Sequence, residues 1–263
     1  MRDKALDLLR RRLVVAPMAG GPTTTDLVIA ATRAEALGFL AAGYKTPGAM
    51  AAEIAAVRAA TAGPFGVNVF VPGRPYPDAA ALSRYLDSLG PGLGGAGWDD
   101  DGFDGKVAAL LADPPAVTSF TFGCPAAAVI RALQDAGSAV VVTVTSPAEA
   151  ALAAAAGADA LCVQGYEAGA HPLHKAALAD PRYTATTLTR AFSGRPARGL
   201  VNEFIVDHAD APPAYPEINN ATRPLRAAAA ASGDTERMSL WAGQGYRLAA
   251  ELPAGEIIDR LSG

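Results

Sequence analysis

Apolar residues in this chain come in short runs that do not alternate with polar ones. Phe39-Leu40-Ala41-Ala42, Phe65-Gly66-Val67-Asn68-Val69, Ala139-Val140-Val141-Val142 and Ala160-Leu161-Cys162-Val163 are four such runs. Each follows an alanine-rich, helix-like stretch that ends near a glycine, at Gly38, Gly63, Gly137 and Gly157. A glycine after a helix takes the left-handed conformation without a Cβ clash, so it reads as a stop signal. Continuous apolar runs suit strands covered on both faces, as in parallel sheets. Helix starts read as clearly. Thr23-x-x-Asp26 and Ser146-x-x-Glu149 have the spacing of a capping box, and Pro47, Pro125 and Pro147 stand where a first helical residue is expected.

Strands are therefore predicted to begin near Val14, Phe39, Gly66, Val117, Ala139 and Ala160, mostly 21 to 27 residues apart, the size of a βα unit. The step from Gly66 to Val117 is about twice as long. It holds a proline-rich turn (Pro72 to Pro77), a helix from about Asp78 to Leu89, a glycine-rich loop (Gly90 to Gly97) and a helix from about Phe103 to Ala112. It reads as an insertion after the third strand, or else it hides a further strand. Met1 to Arg12 reads as a charged helix.

After Gly169 the rhythm stops. Helices are expected over His174–Ala179, Thr186–Ala191, Ala221–Ser232, Gly245–Glu251 and Gly255–Leu261, with Gly199 to Ile205 as the only strand-like run. The fold class is α/β, a TIM-type (β/α) barrel that is incomplete, with about six βα units where closure needs eight. Residues 1–172 form the barrel portion, and residues 173–263 a helical C-terminal segment packed on it.

Just over half of the residues are apolar and the net charge is −4 with His neutral, so nothing electrostatic favours nucleic acid or an anionic membrane. Cys124 and Cys162 form no metal-ligand pattern, and Cys162, inside an apolar run, reads as a small core residue. No apolar stretch is long enough to cross a bilayer, so a soluble, cytoplasmic protein is expected. Three histidines without H-E-x-x-H argue against a zinc enzyme. The absence of G-x-S-x-G and of G-x-x-x-x-G-K-[ST] argues against a hydrolase or a nucleotide triphosphatase.

Four motifs fall at or just past the C-terminal ends of the strands, where parallel α/β folds place their sites. They are Ala16-Pro17-Met18-Ala19-Gly20-Gly21, Gly66-Val67-Asn68-Val69-Phe70-Val71-Pro72, Ser119-Phe120-Thr121-Phe122-Gly123-Cys124-Pro125 and Val163-Gln164-Gly165-Tyr166-Glu167-Ala168-Gly169-Ala170-His171-Pro172. An Asn inside an apolar strand needs a hydrogen-bond partner, so Asn68 either binds a ligand or ties down a loop. Glu167 reads equally as a partner for His171 or as a solvated carboxylate. His208, in a polar stretch, reads as surface.

In order and spacing these motifs resemble the nitronate monooxygenases. The resemblance continues through Pro216-Glu217-Ile218-Asn219-Asn220 and Ser239-Leu240-Trp241-Ala242-Gly243-Gln244-Gly245-Tyr246. It implies flavin mononucleotide (FMN) at the C-terminal mouth of the barrel, with Met18, Asn68, Gln164 and Gly169 around the flavin and His171 as the catalytic histidine. His171 would act as a base on a neutral nitroalkane or hold an anionic nitronate. The implied reaction is oxidation of alkyl nitronates, of the propionate 3-nitronate type, with O2 to a carbonyl product and nitrite. The Trp241–Tyr246 segment resembles one that packs near the flavin in the family.

Two departures stand out. Ala170 replaces a usual glycine. After His171-Pro172 the chain runs directly into Leu173-His174-Lys175-Ala176, without the two further strands whose A-A-G-G-I and G-T-x-F turns grip the FMN phosphate in the family. An internal deletion of about two βα units, on the order of 50–80 residues, accounts for this. The deletion leaves open strand edges, which a second copy in a homo-oligomer could cover. It also opens an alternative, a non-catalytic or weakly active remnant of the family. A third reading is an FMN-dependent enoyl-thioester reductase, although no G-x-G-x-x-G unit for a nicotinamide cofactor is present.

Overall fold

Most of the apolar runs become strands because the helix that follows or precedes them covers their outer face, whereas Ala160–Val163 is left largely exposed. A computed structural model describes residues 12–163, 172–248 and 252–262. Val14–Val15 (β1), Leu37–Ala41 (β2), Phe65–Phe70 (β3), Val117–Thr121 (β4), Ala139–Val144 (β5) and Ala160–Val163 (β6) form one six-stranded parallel sheet in chain order. Thr186–Thr189 (β7) and Ala197–Leu200 (β8) form a separate antiparallel pair. The helices are Thr25–Arg33 (α1), Pro47–Ala60 (α2), Ala79–Ser88 (α3), Phe103–Ala112 (α4), Ala127–Asp135 (α5), Pro147–Ala156 (α6), Pro172–Ala179 (α7), Glu203–Asp207 (α8), Glu217–Ser232 (α9) and Ala254–Ser262 (α10). The βα repeat with strands in sequential order is that of a TIM-type barrel, here incomplete, with six parallel strands.

Two compact units share the chain, and they interleave. The first takes Met1–Pro72, Asp100–Gln164 and Glu251–Gly263; the second takes Gly73–Asp99 and Gly165–Ala250. Each unit is assembled from separate stretches of chain, with Gly73–Asp99 after β3 in the second and the last helix in the first. The stretch between β3 and β4 holds α3 and α4, as expected, and no strand.

In the first unit, Phe65, Val67 and Val69 of β3, Phe120 of β4 and Val140 of β5 point outward into one core with Met50, Ile54 and Val57 of α2, Leu110 of α4 and Ile130 and Leu133 of α5. The alternate residues point to the other face, where Leu37, Phe39, Val117 and Ala139 make a second cluster toward the N-terminal ends of the strands. In the second unit, Phe192 stacks on Phe204 at 4.4 Å and takes the edge of Trp241 at 5.7 Å. A further cluster there joins Tyr183, Leu200, Met238 and Leu240.

Helix ends follow the sequence only in part. Thr46-Pro47 and Ser146-Pro147 start helices as expected, with the hydroxyls capping Ala49 N–H and Glu149 N–H. Gly137 and Gly157 take positive φ, at 99° and 97°. The end of α1 departs from the expectation: Glu35 takes the left-handed position (φ 60°), and Gly38 lies inside β2. The cap of α1 is Thr24, not Thr23, whose hydroxyl instead accepts from Met18 N–H at 2.8 Å. Helix α5 begins two residues after Pro125.

Three further expectations are corrected. Thr186–Ala191 is not helical: its β-branched threonines form β7. The strand expected over Gly199 to Ile205 is β8, ending at Leu200, and Asn202 then caps α8. His208 is half-buried rather than on the surface. Its ring lies 4.5 Å from Phe204 and 6.1 Å from Tyr85, and burial pushes its imidazole below the ordinary value. The expected helix over Met1 to Arg12 lies outside the described residues, Arg12 excepted. Among the described residues no helix is long and apolar enough to cross a membrane.

Candidate functional site

The inner face of the sheet changes character along the strands. Toward the N-terminal ends it is apolar; toward the C-terminal ends it becomes polar on three successive strands. Register places Asn68 beside Ser119 and Ser119 beside Val141, with Phe70 beside Thr121 one pleat further on. Asn68 is buried, and its Nδ2 donates to Ser119 Oγ and Thr121 Oγ1, both at 2.9 Å. Thr121 Oγ1 pairs in turn with Thr143 Oγ1 at 3.2 Å. The row Asn68–Ser119–Thr121–Thr143 thus crosses β3, β4 and β5. All three hydrogen bonds described for the Asn68 side chain are donated by Nδ2.

Met18 lies just after β1, half-buried, in a turn closed from both sides. Met18 N–H donates to Thr23 Oγ1, and Thr23 N–H donates to Met18 O at 3.2 Å. Gly20 and Gly21 within that turn have φ of 85° and 122°, and a Cβ on either would meet nothing within 4 Å. The turn is therefore held at its base and open at its tip. Above the polar row stand three aromatic residues from adjacent strand ends. The Tyr44 ring meets Phe70 edge-on at 5.3 Å, and Phe70 lies 4.5 Å from Phe122.

Of the residues expected at the site, the structure places Met18 and Asn68 at the same end of the sheet, two strands apart. Gln164, Gly169 and His171 lie outside the described residues. Cys124 is half-buried and burial raises its thiol pKa, which argues against a nucleophile. Cys162 is exposed, not a core residue, because β6 is an edge strand. The polar row and the aromatic trio were missed as groups, although period-2 spacing in Val117-Thr118-Ser119-Phe120-Thr121 was the available signal. Trp241 to Tyr246 lies in the second unit. There Ala242 N–H donates to Arg198 O and the Tyr246 hydroxyl to Tyr183 O at 2.9 Å. Among the described residues no cluster of His, Cys, Asp and Glu could hold a metal ion.

A parallel βα sheet with polar groups gathered at its C-terminal mouth is the architecture of a (β/α)-barrel enzyme. The sequence model for nitronate monooxygenase matches residues 4–172 and again 167–263. The nitronate monooxygenase of Pseudomonas aeruginosa is 31% identical over 99% of this chain and 98% of its own length, and a probable nitronate monooxygenase of Bacillus subtilis is 27% identical over 96% and 95%. The structure of a nitroalkane oxidase from Streptomyces ansochromogenes superposes with a TM-score of 0.93 at 39% identity, covering 98% of this chain and 97% of that one. FabK from Thermotoga maritima, at 21% identity and a TM-score of 0.67, shares the fold. The chain belongs to the nitronate monooxygenase family, a family of oxidoreductases.

The same comparisons locate what is missing. The alignment with the Pseudomonas protein runs over 347 residues against 263 in this chain, so at least 84 of its positions have no counterpart here. That exceeds the expected 50–80. The two family matches meet at residues 167–172, immediately after the last parallel strand.

Proposed function

We propose that this chain is an FMN-dependent oxidoreductase that oxidises alkyl nitronates, of the propionate 3-nitronate type, with O2 to a carbonyl product and nitrite. The observation that carries this reading is membership of the nitronate monooxygenase family over both halves of the chain. The mouth supports it. A turn open at Gly20 and Gly21 leaves room for a flat ring to approach backbone, and the Asn68 amide is held in place by Ser119 and Thr121 at the same end of the sheet. Met18 and Asn68, with Gln164 and Gly169 from the motif after β6, would hold the isoalloxazine. FMN would supply the redox chemistry, while the protein orients it and excludes side reactions.

The chain's own residues carry the rest. Ser119 and Thr121 fix the Asn68 amide, so its oxygen is presented in one orientation. Tyr44, Phe70 and Phe122 supply an apolar wall for an alkyl group. His171 is assigned the proton from a neutral nitroalkane, or the charge of a nitronate. A protein of this kind resides in the cytoplasm and meets small molecules rather than nucleic acid or lipid.

One observation favours a second reading. The positions without a counterpart here would, by the family resemblance, include the turns that grip the FMN phosphate, which supports a weakly active or non-catalytic remnant. Anaerobic mixing of the flavin-loaded protein with propionate 3-nitronate separates the two. Loss of the yellow absorbance, with nitrite formed on admitting O2, is the expected result. A protein that keeps no flavin after gel filtration supports the remnant, and NADH oxidation by an enoyl thioester would replace nitronate oxidation as the activity.

A further inference from the structure

Lys106 is completely buried in the middle of α4, and its Nζ lies 2.7 Å from Asp101 Oδ2. The other oxygen of that carboxylate, Oδ1, accepts the backbone N–H of Tyr44 at 2.8 Å. Tyr44 lies in the loop after β2, and its ring meets Phe70, which meets Phe122 at the end of β4. Three of these residues sit in the left-handed backbone region without being glycine: Tyr44 at φ 65°, Asp101 at 56° and Phe122 at 75°. Such conformations are unfavourable for residues with a Cβ and persist only where surroundings impose them. Gly43 allows the arrangement, since a Cβ there would run into the Phe70 ring. Gly105 allows it too, since a Cβ there would approach Pro47 Cγ to 2.9 Å. Lys45, the next residue along, is fixed separately through both oxygens of Glu53 at 2.7 Å.

We infer that Lys106 and Asp101 are positioning residues for the substrate end of the site. The buried ammonium fixes the Asp101 carboxylate, the carboxylate fixes the Tyr44 amide in its strained conformation, and that sets the Tyr44 ring as the outer part of the apolar wall. A lysine whose only purpose was stability would be better replaced by an apolar side chain, because burying the charge is expensive. This assignment rests on the nitronate-oxidising reading for its kinetic consequence, but not for its structural one.

The test compares wild type with Lys106→Met, Asp101→Asn, Tyr44→Ala and the Lys106→Met/Tyr44→Ala pair. Lys106→Met is expected to speed amide exchange in the 43–46 segment about tenfold or more, although Lys106 does not touch Tyr44 N–H. It is also expected to raise KM for a longer nitronate roughly fivefold with kcat within about twofold, the pattern of lost binding rather than lost chemistry. Tyr44→Ala should raise KM equally, and the pair no further than either alone. Unchanged exchange and KM in Lys106→Met, or KM effects that multiply in the pair, would overturn the assignment. If Lys106→Met does not fold, Asp101→Asn carries the same comparison. If wild type turns over no nitronate, the proposed function fails, and amide exchange alone still decides whether the buried pair holds Tyr44.

Discussion

Strands β3 and β6 are both largely apolar runs and have opposite surroundings. Phe65-Gly66-Val67-Asn68-Val69-Phe70 is buried at all six positions, whereas Val163 of Ala160-Leu161-Cys162-Val163 is 83% exposed and Leu161 38%. The difference is in neighbours. β3 has β2 on one side and β4 on the other; β6 has β5 alone, and no other strand among the described residues pairs with it. Leu152 of α6, whose helix leads into β6, is 65% exposed as well. An apolar run of this kind thus ends a sheet just before the point where the two family matches meet, in a chain that lacks at least 84 positions of the alignment with the Pseudomonas protein. The run still has the composition of a strand buried on both faces, but among the described residues only β5 pairs with it.

That contrast can be broken or sharpened by substitution. The largest effect should come from Phe120→Ala in the sealed region. It removes a fully buried ring between β4 and the helices, and should cost roughly 3–5 kcal/mol in urea unfolding. A loss under about 1 kcal/mol would mean the sealed region is far looser than its packing.

Thiol labelling near neutral pH compares the two regions directly. Cys162 on the open strand should react at least about tenfold faster than Cys124, which is half-buried and whose thiol burial pushes up. Because the Cys124 pKa is raised, its thiolate fraction at neutral pH is lower than that of an ordinary thiol, so its labelling should climb as pH increases. Equal rates at neutral pH would show β6 to be covered in solution.

Thr121→Val keeps shape and removes one of the three acceptors of Asn68 Nδ2. It should cost about 1 kcal/mol, read from the same urea transition. The smallest effect should be at the edge. Val163→Lys should change stability by no more than about 0.5 kcal/mol, since the side chain already faces water. A loss of several kcal/mol, or a change in apparent mass on gel filtration, would show that a partner covers Val163 in solution.

Much of the barrel portion was legible in the sequence because its signals are local. Pro47 marks a helix start through a missing N–H and Ser146-Pro147 through a hydroxyl as well, and both work as read. The doubly covered strands announce themselves as apolar runs. Glu35 hid the end of α1, because the left-handed position was taken by a residue with no glycine signature. Thr186-Thr187-Leu188-Thr189 was too short a window for periodicity to outweigh its neighbours, and its β-branched side chains were the better guide.

Site residues divide the same way. Asn68 was conspicuous as a polar residue in an apolar strand. Ser119, Thr121 and Thr143 became a row only once register aligned β3, β4 and β5, and register is not written in any one strand. Lys106 was invisible: a lysine within a helix reads as solvated until its carboxylate partner is found five residues earlier, across a left-handed turn.

The most direct measurement of the central claim is an equilibrium titration of FMN, followed by quenching of flavin fluorescence, in wild type and in Asn68→Ala. The account predicts saturable quenching by wild type at micromolar protein and at least about a tenfold weaker Kd in the variant, a loss of one specific hydrogen bond. Wild type that leaves flavin fluorescence untouched, or a folded Asn68→Ala that binds FMN as tightly as wild type, would contradict it.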